Sequence, residues 1–322
     1  LERPMRIGMS DLVVKPIGVG TWQWGDSRYW EFGVDYDAHD LARAFDMALD
    51  MGISLFDTAE IYGNGESERL LGQQVNRTKR NIVLASKYMP WPSRLSGRAV
   101  AQAVEGSCRR LEVDTIDLYQ VHWPFSLLRQ PSLLRALALQ VDKGCIRWVG
   151  VSNYGARRLR SAFKVLAQHG VPLVSNQVQY SLLHRAPEVN GVLDTCNELG
   201  ITLIAYSPLA QGLLTGKYGP NAKVSGGRRL SPAFRRKNRC DVEPVVSLLR
   251  QIGAKYKRSP AQVALNWVIR HKNVLAIPGA KNPTQIRMNA EAHGWEMARE
   301  DASLLDAATI KWQRRGWLDR LL

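Results

Sequence analysis

Cysteine is scarce in this chain. Its 322 residues hold four, Cys108, Cys145, Cys196 and Cys240, widely spaced and never in C-x-x-C order. That pattern argues against a disulfide framework and against a zinc site, and suits a reducing compartment. No stretch approaches the ~18 consecutive apolar residues of a spanning helix, so a soluble protein is expected. Acidic residues are in deficit, 29 against 44 basic ones, for a net charge of +15. Such a balance suits acidic partners: nucleic acid, an anionic membrane surface or a phosphorylated ligand. The excess is concentrated between Arg228 and Arg239, where Arg228, Arg229, Arg235, Arg236, Lys237 and Arg239 meet no acidic residue. Only Phe234 interleaves them and no recognition motif accompanies them, which argues against specific nucleic-acid binding. The basic surface of such an enzyme could contact an acidic protein or an anionic membrane surface. The chain opens at Leu1 with no apolar signal region behind it, so it reads as trimmed, and a removed transit peptide would leave no trace.

What is present is rhythm. Hydrophobic residues make up 45% of the chain, enough for a sizeable core. The opening MRIGMSDLVVKP reads as a β-hairpin around Gly8-Met9-Ser10-Asp11. From Ile17 onward, short apolar runs alternate with helical patterns. Strands are expected at 17–20, 53–57, 81–87, 115–122, 146–153, 173–177, 201–207 and 274–279. Helices are expected near 39–52, 66–74, 97–110, 131–142, 156–169, 187–199, 242–270, 283–292 and 301–313. Continuous apolar strands mark a parallel sheet buried on both faces. Eight strand-helix units in succession favour a closed (β/α)₈ TIM barrel with an N-terminal hairpin and a C-terminal helix. One domain over 1–322 is expected, interrupted by an aperiodic, basic, Gly- and Pro-containing loop at about 210–240. Loops of that length are functional or disordered.

Barrel enzymes carry their chemistry at the C-terminal ends of strands. Here successive strand ends bear Asp57, Lys87, His122, Ser152-Asn153, Gln177 and Tyr206-Ser207. A single polar strand end is uninformative; six in a row point to a shared pocket. Gly18-Val19-Gly20 leads into Thr21-Trp22 and lacks the third glycine of G-x-G-x-x-G, so the Rossmann dinucleotide motif is absent.

The segments GVGTW (18–22), FDTAEIYGNGESERLLG (56–72), LASK (84–87), DLYQVHWP (117–124), VGVSN (149–153), SNQVQYSLL (175–183), AYSPLAQGLLTGKY (205–218) and IPGAKNPTQ (277–285) together resemble the aldo-keto reductase superfamily over nearly the whole chain. Within it the chain is similar to plastid and cyanobacterial members and to plant pyridoxal reductase-like proteins. The resemblance implies NADPH-dependent reduction of an aldehyde or ketone. It implies Tyr62 as proton donor, Lys87 as the cation that stabilises the tyrosinate, Asp57 as the lysine's partner and His122 as the group that orients the carbonyl. A free tyrosine has a pKa near 10, so a neighbouring ammonium is what such chemistry requires. A channel-regulating branch of the superfamily replaces that histidine, and this chain keeps it; an NADPH-binding regulatory subunit with slow turnover is the alternative.

By the same resemblance Thr21 and Trp22 line the nicotinamide end, Ser152, Asn153 and Gln177 hold the carboxamide, and Tyr206 stacks on the ring. Ser207, Leu209, Gln211 and Lys217 wrap the pyrophosphate; Gly279, Lys281, Gln285 and Asn289 take the adenosine-phosphate end, with Arg228 or Arg229 closing over it. Met288 stands where many relatives have an acid that contacts adenine. Trp24, Trp91 and Trp123 are expected to line the substrate pocket, which suits aromatic or flat small-molecule carbonyl compounds, pyridoxal among them. No metal is implied. The resemblance places the protein in the chloroplast, with the cytoplasm as the alternative.

Overall fold

The computed structural model describes residues 4–313. Strands β1 (Met5–Arg6) and β2 (Val13–Val14) pair antiparallel as the expected hairpin. Eight parallel strands follow: β3 (Val19–Gly20), β4 (Leu55–Asp57), β5 (Val83–Tyr88), β6 (Ile116–Val121), β7 (Ile146–Ser152), β8 (Leu173–Gln179), β9 (Thr202–Tyr206) and β10 (Val274–Ile277), each beside its neighbour in the chain. Parallel bridges from Ile17 to Ala276 and from Gly20 to Gly279 draw the first and last strands together into a nearly closed barrel. Glycine is required at position 20 of that seam, where a Cβ would lie 2.8 Å from the Ile277 carbonyl oxygen.

Helices α1 (Ala38–Asp50), α2 (Glu66–Asn76), α3 (Gly97–Leu111), α4 (Gln130–Asp142), α5 (Ala156–Ala167), α6 (Val192–Glu198), α7 (Arg236–Tyr256), α8 (Pro260–Ile269), α9 (Pro283–Ala290) and α10 (Arg299–Ala308) complete the described elements. None of the described helices is long and apolar enough to cross a membrane. The helix expected over 242–270 is two. Lys257 turns left-handed (φ 55°), Ser259 caps the next helix with a reciprocal Gln262 bond, and Pro260 starts it. The helix expected from 187 begins at Val192, after a left-handed Gly191. The expected loop to 240 is shorter than its composition suggests. Its last residues form the first turn of α7, and short 3₁₀ turns at 210–215, 226–230 and 232–234 order the rest.

Alternation along the strands sorts the barrel into layers, because successive side chains point to opposite faces. Inward-facing Leu55, Val83, Ala85, Leu118, Ile204 and Leu275 pack into one cluster with Ile7, Leu12 and Val14 of the hairpin, which plugs the N-terminal end. Outward-facing Phe56, Leu84, Tyr119, Val149, Leu203 and Ala276 join the larger cluster under the helices. Continue the inward series of β4, β5, β6 and β9 and the polar strand ends appear: Asp57 two residues after Leu55, Lys87 two after Ala85, Gln120 and His122 two and four after Leu118, Tyr206 two after Ile204. The apolar plug below and the polar ring above are thus one pattern read at two heights.

Candidate active site

Lys87 is fully buried, and its ammonium is tripled in partners. Nζ donates to Asp57 Oδ1 (2.5 Å), to the Thr58 carbonyl oxygen (2.8 Å) and to the Tyr62 hydroxyl oxygen (3.3 Å). The other Asp57 oxygen accepts from the side-chain amides of Gln120 (3.0 Å) and Gln177 (2.8 Å). Burial opposes the charge on Lys87, but the Asp57 carboxylate and the Tyr62 oxygen outweigh it and hold the lysine above its usual range. An ion pair this deep needs such extra hydrogen bonds to offset its desolvation.

Tyr62 comes from the loop after β4, where Gly63 and Asn64 are both left-handed. That loop is pinned by Glu60, which accepts from the Met89 backbone N–H (2.6 Å) and from both terminal nitrogens of Arg94 (2.5 and 2.9 Å). The Tyr62 oxygen accepts from Lys87, so its own proton is free to point into the cavity. Enclosure by the protein pushes the phenol up from its ordinary value and the lysine pulls it partly back. The His122 ring meets the Tyr62 ring edge-on at 5.7 Å. Its Nδ1 is buried with no partner among the described residues. Burial first, and Lys87 second, depress its pKa well below the ordinary histidine value, so the imidazole is neutral at physiological pH.

Asp57, Tyr62 and His122 face one cavity of about 700 Å³ at the C-terminal mouth of the barrel, and Lys87 lies directly behind them. The residues that the resemblance assigns to the cofactor line this cavity, Arg229 excepted. At its deep end Thr21 and Trp22 face the amide-rich wall of Ser152, Asn153 and Gln177. Asn153 donates to the His122 carbonyl (3.1 Å) and accepts from the Tyr206 hydroxyl (3.1 Å), while the Ser152 hydroxyl donates to the Gln177 carbonyl (2.8 Å). Ser207, Leu209, Gln211 and Lys217 form the adjoining wall. Gly279, Lys281, Gln285, Met288 and Asn289 form the far end, where Asn282 caps α9 and Gln285 holds the Lys281 backbone N–H. Asn153, Ser207, Ala210 and Gln211 all have positive φ without being glycine. Each costs of order 1–3 kcal/mol, and such strain gathers at functional sites.

Of the three tryptophans assigned to substrate, the structure brings in one. Trp123 lines the cavity. Trp24 is wholly buried, its indole N–H donating to the Ala280 carbonyl (3.0 Å) and its ring packed on Phe56; it is a core residue. Trp91 is 47% exposed and lies away from the cavity lining. Their place is taken by Trp22, stacked on Tyr29 at 5.3 Å and edge-on to Trp30, both from the loop between β3 and α1. Trp30 and Gln120 were missed by the sequence reading. Gln120 carried a signal: it stands two residues before His122, on the same strand face. Arg228 is buried and lines the cavity, its guanidinium over Trp30 (5.1 Å) and Tyr218 (5.3 Å) and bonded to the Tyr218 hydroxyl (2.6 Å). Arg229 is not part of that lining.

A barrel with this polar mouth has known counterparts. The Aldo/keto reductase family model matches residues 16–310. The chain belongs to the aldo/keto reductase family. It is 38% identical over 316 residues to the chloroplastic pyridoxal reductase of Arabidopsis thaliana, covering 94% of this chain and 85% of that one. It is 41% identical over 300 residues to an uncharacterised oxidoreductase of Mycobacterium tuberculosis, covering 92% and 90%. An NADH-specific methylglyoxal reductase of Escherichia coli is 30% identical over 326 residues, covering 93% and 96%. Among solved structures, an aldo/keto reductase from Klebsiella pneumoniae in complex with NADP and acetate aligns with a TM-score of 0.74 at 28% identity over 95% of each chain. The aldo/keto reductase described here is therefore an NAD(P)H-dependent oxidoreductase, of a family that acts on small carbonyl compounds.

Proposed function

We propose that this aldo/keto reductase reduces an aldehyde or ketone to the alcohol with NADPH, and that Tyr62 supplies the proton. The observation that carries the reading is the Lys87 ammonium, 2.5 Å from Asp57 and 3.3 Å from the Tyr62 hydroxyl beside a neutral His122. The cavity fits a nicotinamide dinucleotide on this chain's own features. It has an amide wall, Asn153 and Gln177, and an aromatic hydroxyl, Tyr206, beside it. Three cations, Lys217, Arg228 and Lys281, line the same cavity.

Ser152, Asn153 and Gln177 would hold the carboxamide and Tyr206 the ring. Ser207, Leu209, Gln211 and Lys217 would hold the pyrophosphate, and Gly279, Lys281, Gln285 and Asn289 the adenosine phosphate. When bound, the cofactor supplies a hydride. Tyr62 gives its proton to the carbonyl oxygen as the carbonyl carbon is reduced, and the tyrosinate left behind is stabilised by Lys87 until water reprotonates it. Asp57 keeps Lys87 charged where it is fully buried. His122, uncharged, donates a hydrogen bond that fixes the carbonyl oxygen near Tyr62. Trp22, Trp30 and Trp123 suit a flat substrate, which agrees with pyridoxal as a candidate. Relatives with different nicotinamide cofactors in their names leave the choice to this chain's cations, and their number supports NADPH.

The test is Tyr62→Phe, assayed by loss of NADPH absorbance against a panel of aldehydes including pyridoxal. Loss of a positioned acid costs about 10²–10⁴-fold in rate, with cofactor affinity retained. Undiminished turnover would refute the assignment.

A further inference from the structure

The cation at the adenosine-phosphate end of the cavity is already engaged. Lys281 Nζ lies 3.4 Å from Asp35 Oδ2 and 4.4 Å from the centre of the Tyr36 ring. Both partners are consecutive residues of the loop between β3 and α1, a different element from the one that carries Lys281. Tyr36 is itself fixed, buried with its hydroxyl bonded to the Gln23 carbonyl. Tyr36 therefore offers the ammonium a fixed ring, and Asp35 a carboxylate at hydrogen-bond distance. Lys217 and Arg228 line the same cavity and act on Lys281 electrostatically. Among the described residues, Lys281 is the one of these three held in an ion pair. Arg228 is instead stacked between two rings and bonded to a phenol.

We propose that Asp35 is a specificity-determining residue that lowers this enzyme's preference for NADPH over NADH. The inference rests on the reading that places the adenosine phosphate at Lys281. A carboxylate and a phosphate compete for one ammonium, and they repel each other. A carboxylate beside a ribose hydroxyl, in contrast, accepts a hydrogen bond from it, which is how acidic residues favour the unphosphorylated dinucleotide. Asp35 thus acts in opposite directions on the two cofactors. With Asp35 in place, Lys281 must exchange one anionic partner for another to take the phosphate, so part of its attraction is already committed. The loop location matters: Asp35 is 46% exposed and can swing aside, so it tunes the choice without blocking the site.

The test is binding, read without turnover. Trp22, Trp30 and Trp123 line the cavity, so intrinsic tryptophan fluorescence reports dinucleotide binding directly. NADPH and NADH are titrated separately into wild type, Asp35→Asn, Asp35→Ser, Lys281→Ala and the Asp35→Asn/Lys281→Ala double variant. Asp35→Asn and Asp35→Ser should each raise the NADPH-to-NADH affinity ratio by about three- to tenfold, the scale of releasing a half-exposed ion pair and removing one like charge. In the Lys281→Ala background the same change should shrink to less than half of that. An unchanged or lowered ratio in both Asp35 variants, with NADPH weakened by Lys281→Ala, overturns the inference and leaves the cofactor reading standing. NADPH affinity untouched by Lys281→Ala overturns the placement of the phosphate, and the inference with it.

Discussion

Replacing Asp57 with asparagine changes one charge and almost no volume, and its consequences follow from the contacts. In the wild type Lys87 donates to Asp57, while Gln120 and Gln177 donate to the other Asp57 oxygen. Asparagine has one acceptor oxygen, which the two glutamine amides claim. Its NH₂ group then faces Lys87, donor against donor. Lys87 relieves the conflict by giving up a proton and accepting. An ammonium left buried without its partner typically costs ~3–5 kcal/mol, and Lys87 is fully buried, so the upper part of that range applies unless it deprotonates.

The pH dependence of that loss reverses in sign. In the wild type Lys87 is held above its unfolded value near 10.4. Its contribution to stability is therefore complete below pH 10.4 and lost above it. In Asp57→Asn, burial, the largest influence, is opposed only by Tyr62, and the folded lysine falls below 10.4. The unfolded chain then binds the extra proton, and the variant gains stability as pH rises. The gap between the two proteins should narrow by about 1.4 kcal/mol for each pH unit between the variant's lowered value and 10.4. Urea unfolding of both proteins at intervals from pH 7 to 10 reads this directly. A gap that stays constant across that range would show that Lys87 does not respond to Asp57, and the account of the site's electrostatics would fail.

Other perturbations separate neighbouring roles. Gln120→Met keeps volume but removes a donor from a buried carboxylate, so unfolding free energy should fall by about 1.5–3 kcal/mol, measured by the same titration. His122 is buried and held well below 6.5; the unfolded chain binds its proton first, so acidification from pH 6.5 should destabilise the wild type by up to about 1.4 kcal/mol per unit, and His122→Gln should remove that part of the slope. Trp24→Ala should cost ~3–5 kcal/mol because Trp24 is core, whereas Trp123→Ala should leave stability nearly unchanged and raise the KM for aromatic aldehydes. Equal effects from the two tryptophans would contradict their placement.

The barrel was legible because its periodicities are coarse. Eight apolar runs with helical patterns between them require only that residues be counted, and the strands lie within a few residues of where the runs predict them. The helix boundaries that moved did so at local devices: a left-handed Gly191, and a left-handed Lys257 followed by Ser259-Pro260. The ring of polar strand ends was also legible, since each is an inward position continued past the apolar plug. Gln120 was equally legible by that rule and was passed over because it stands inside the strand instead of at its end.

Loops were less legible, for a physical reason. A strand residue's direction follows from its parity, but a loop residue's direction follows from what the loop packs against. Trp22, Trp24 and Trp30 lie within nine positions of sequence, and composition alone makes them equivalent. The middle one turns away to bond Ala280 and pack on Phe56, while the outer two meet edge-on at the cavity. Likewise the run from Arg228 to Arg239 is uniform in charge and divided in space. Arg228 is buried in the cavity wall, Arg239 is buried against the carbonyls of Gly219 and Ala222, and the cations between them are exposed. Net charge therefore overstates the positive potential available to a ligand at this mouth. What a bound anion meets is set by the few cations that face the cavity and by the acids beside them, which is why one half-exposed aspartate on an opposing loop can weigh against several arginines.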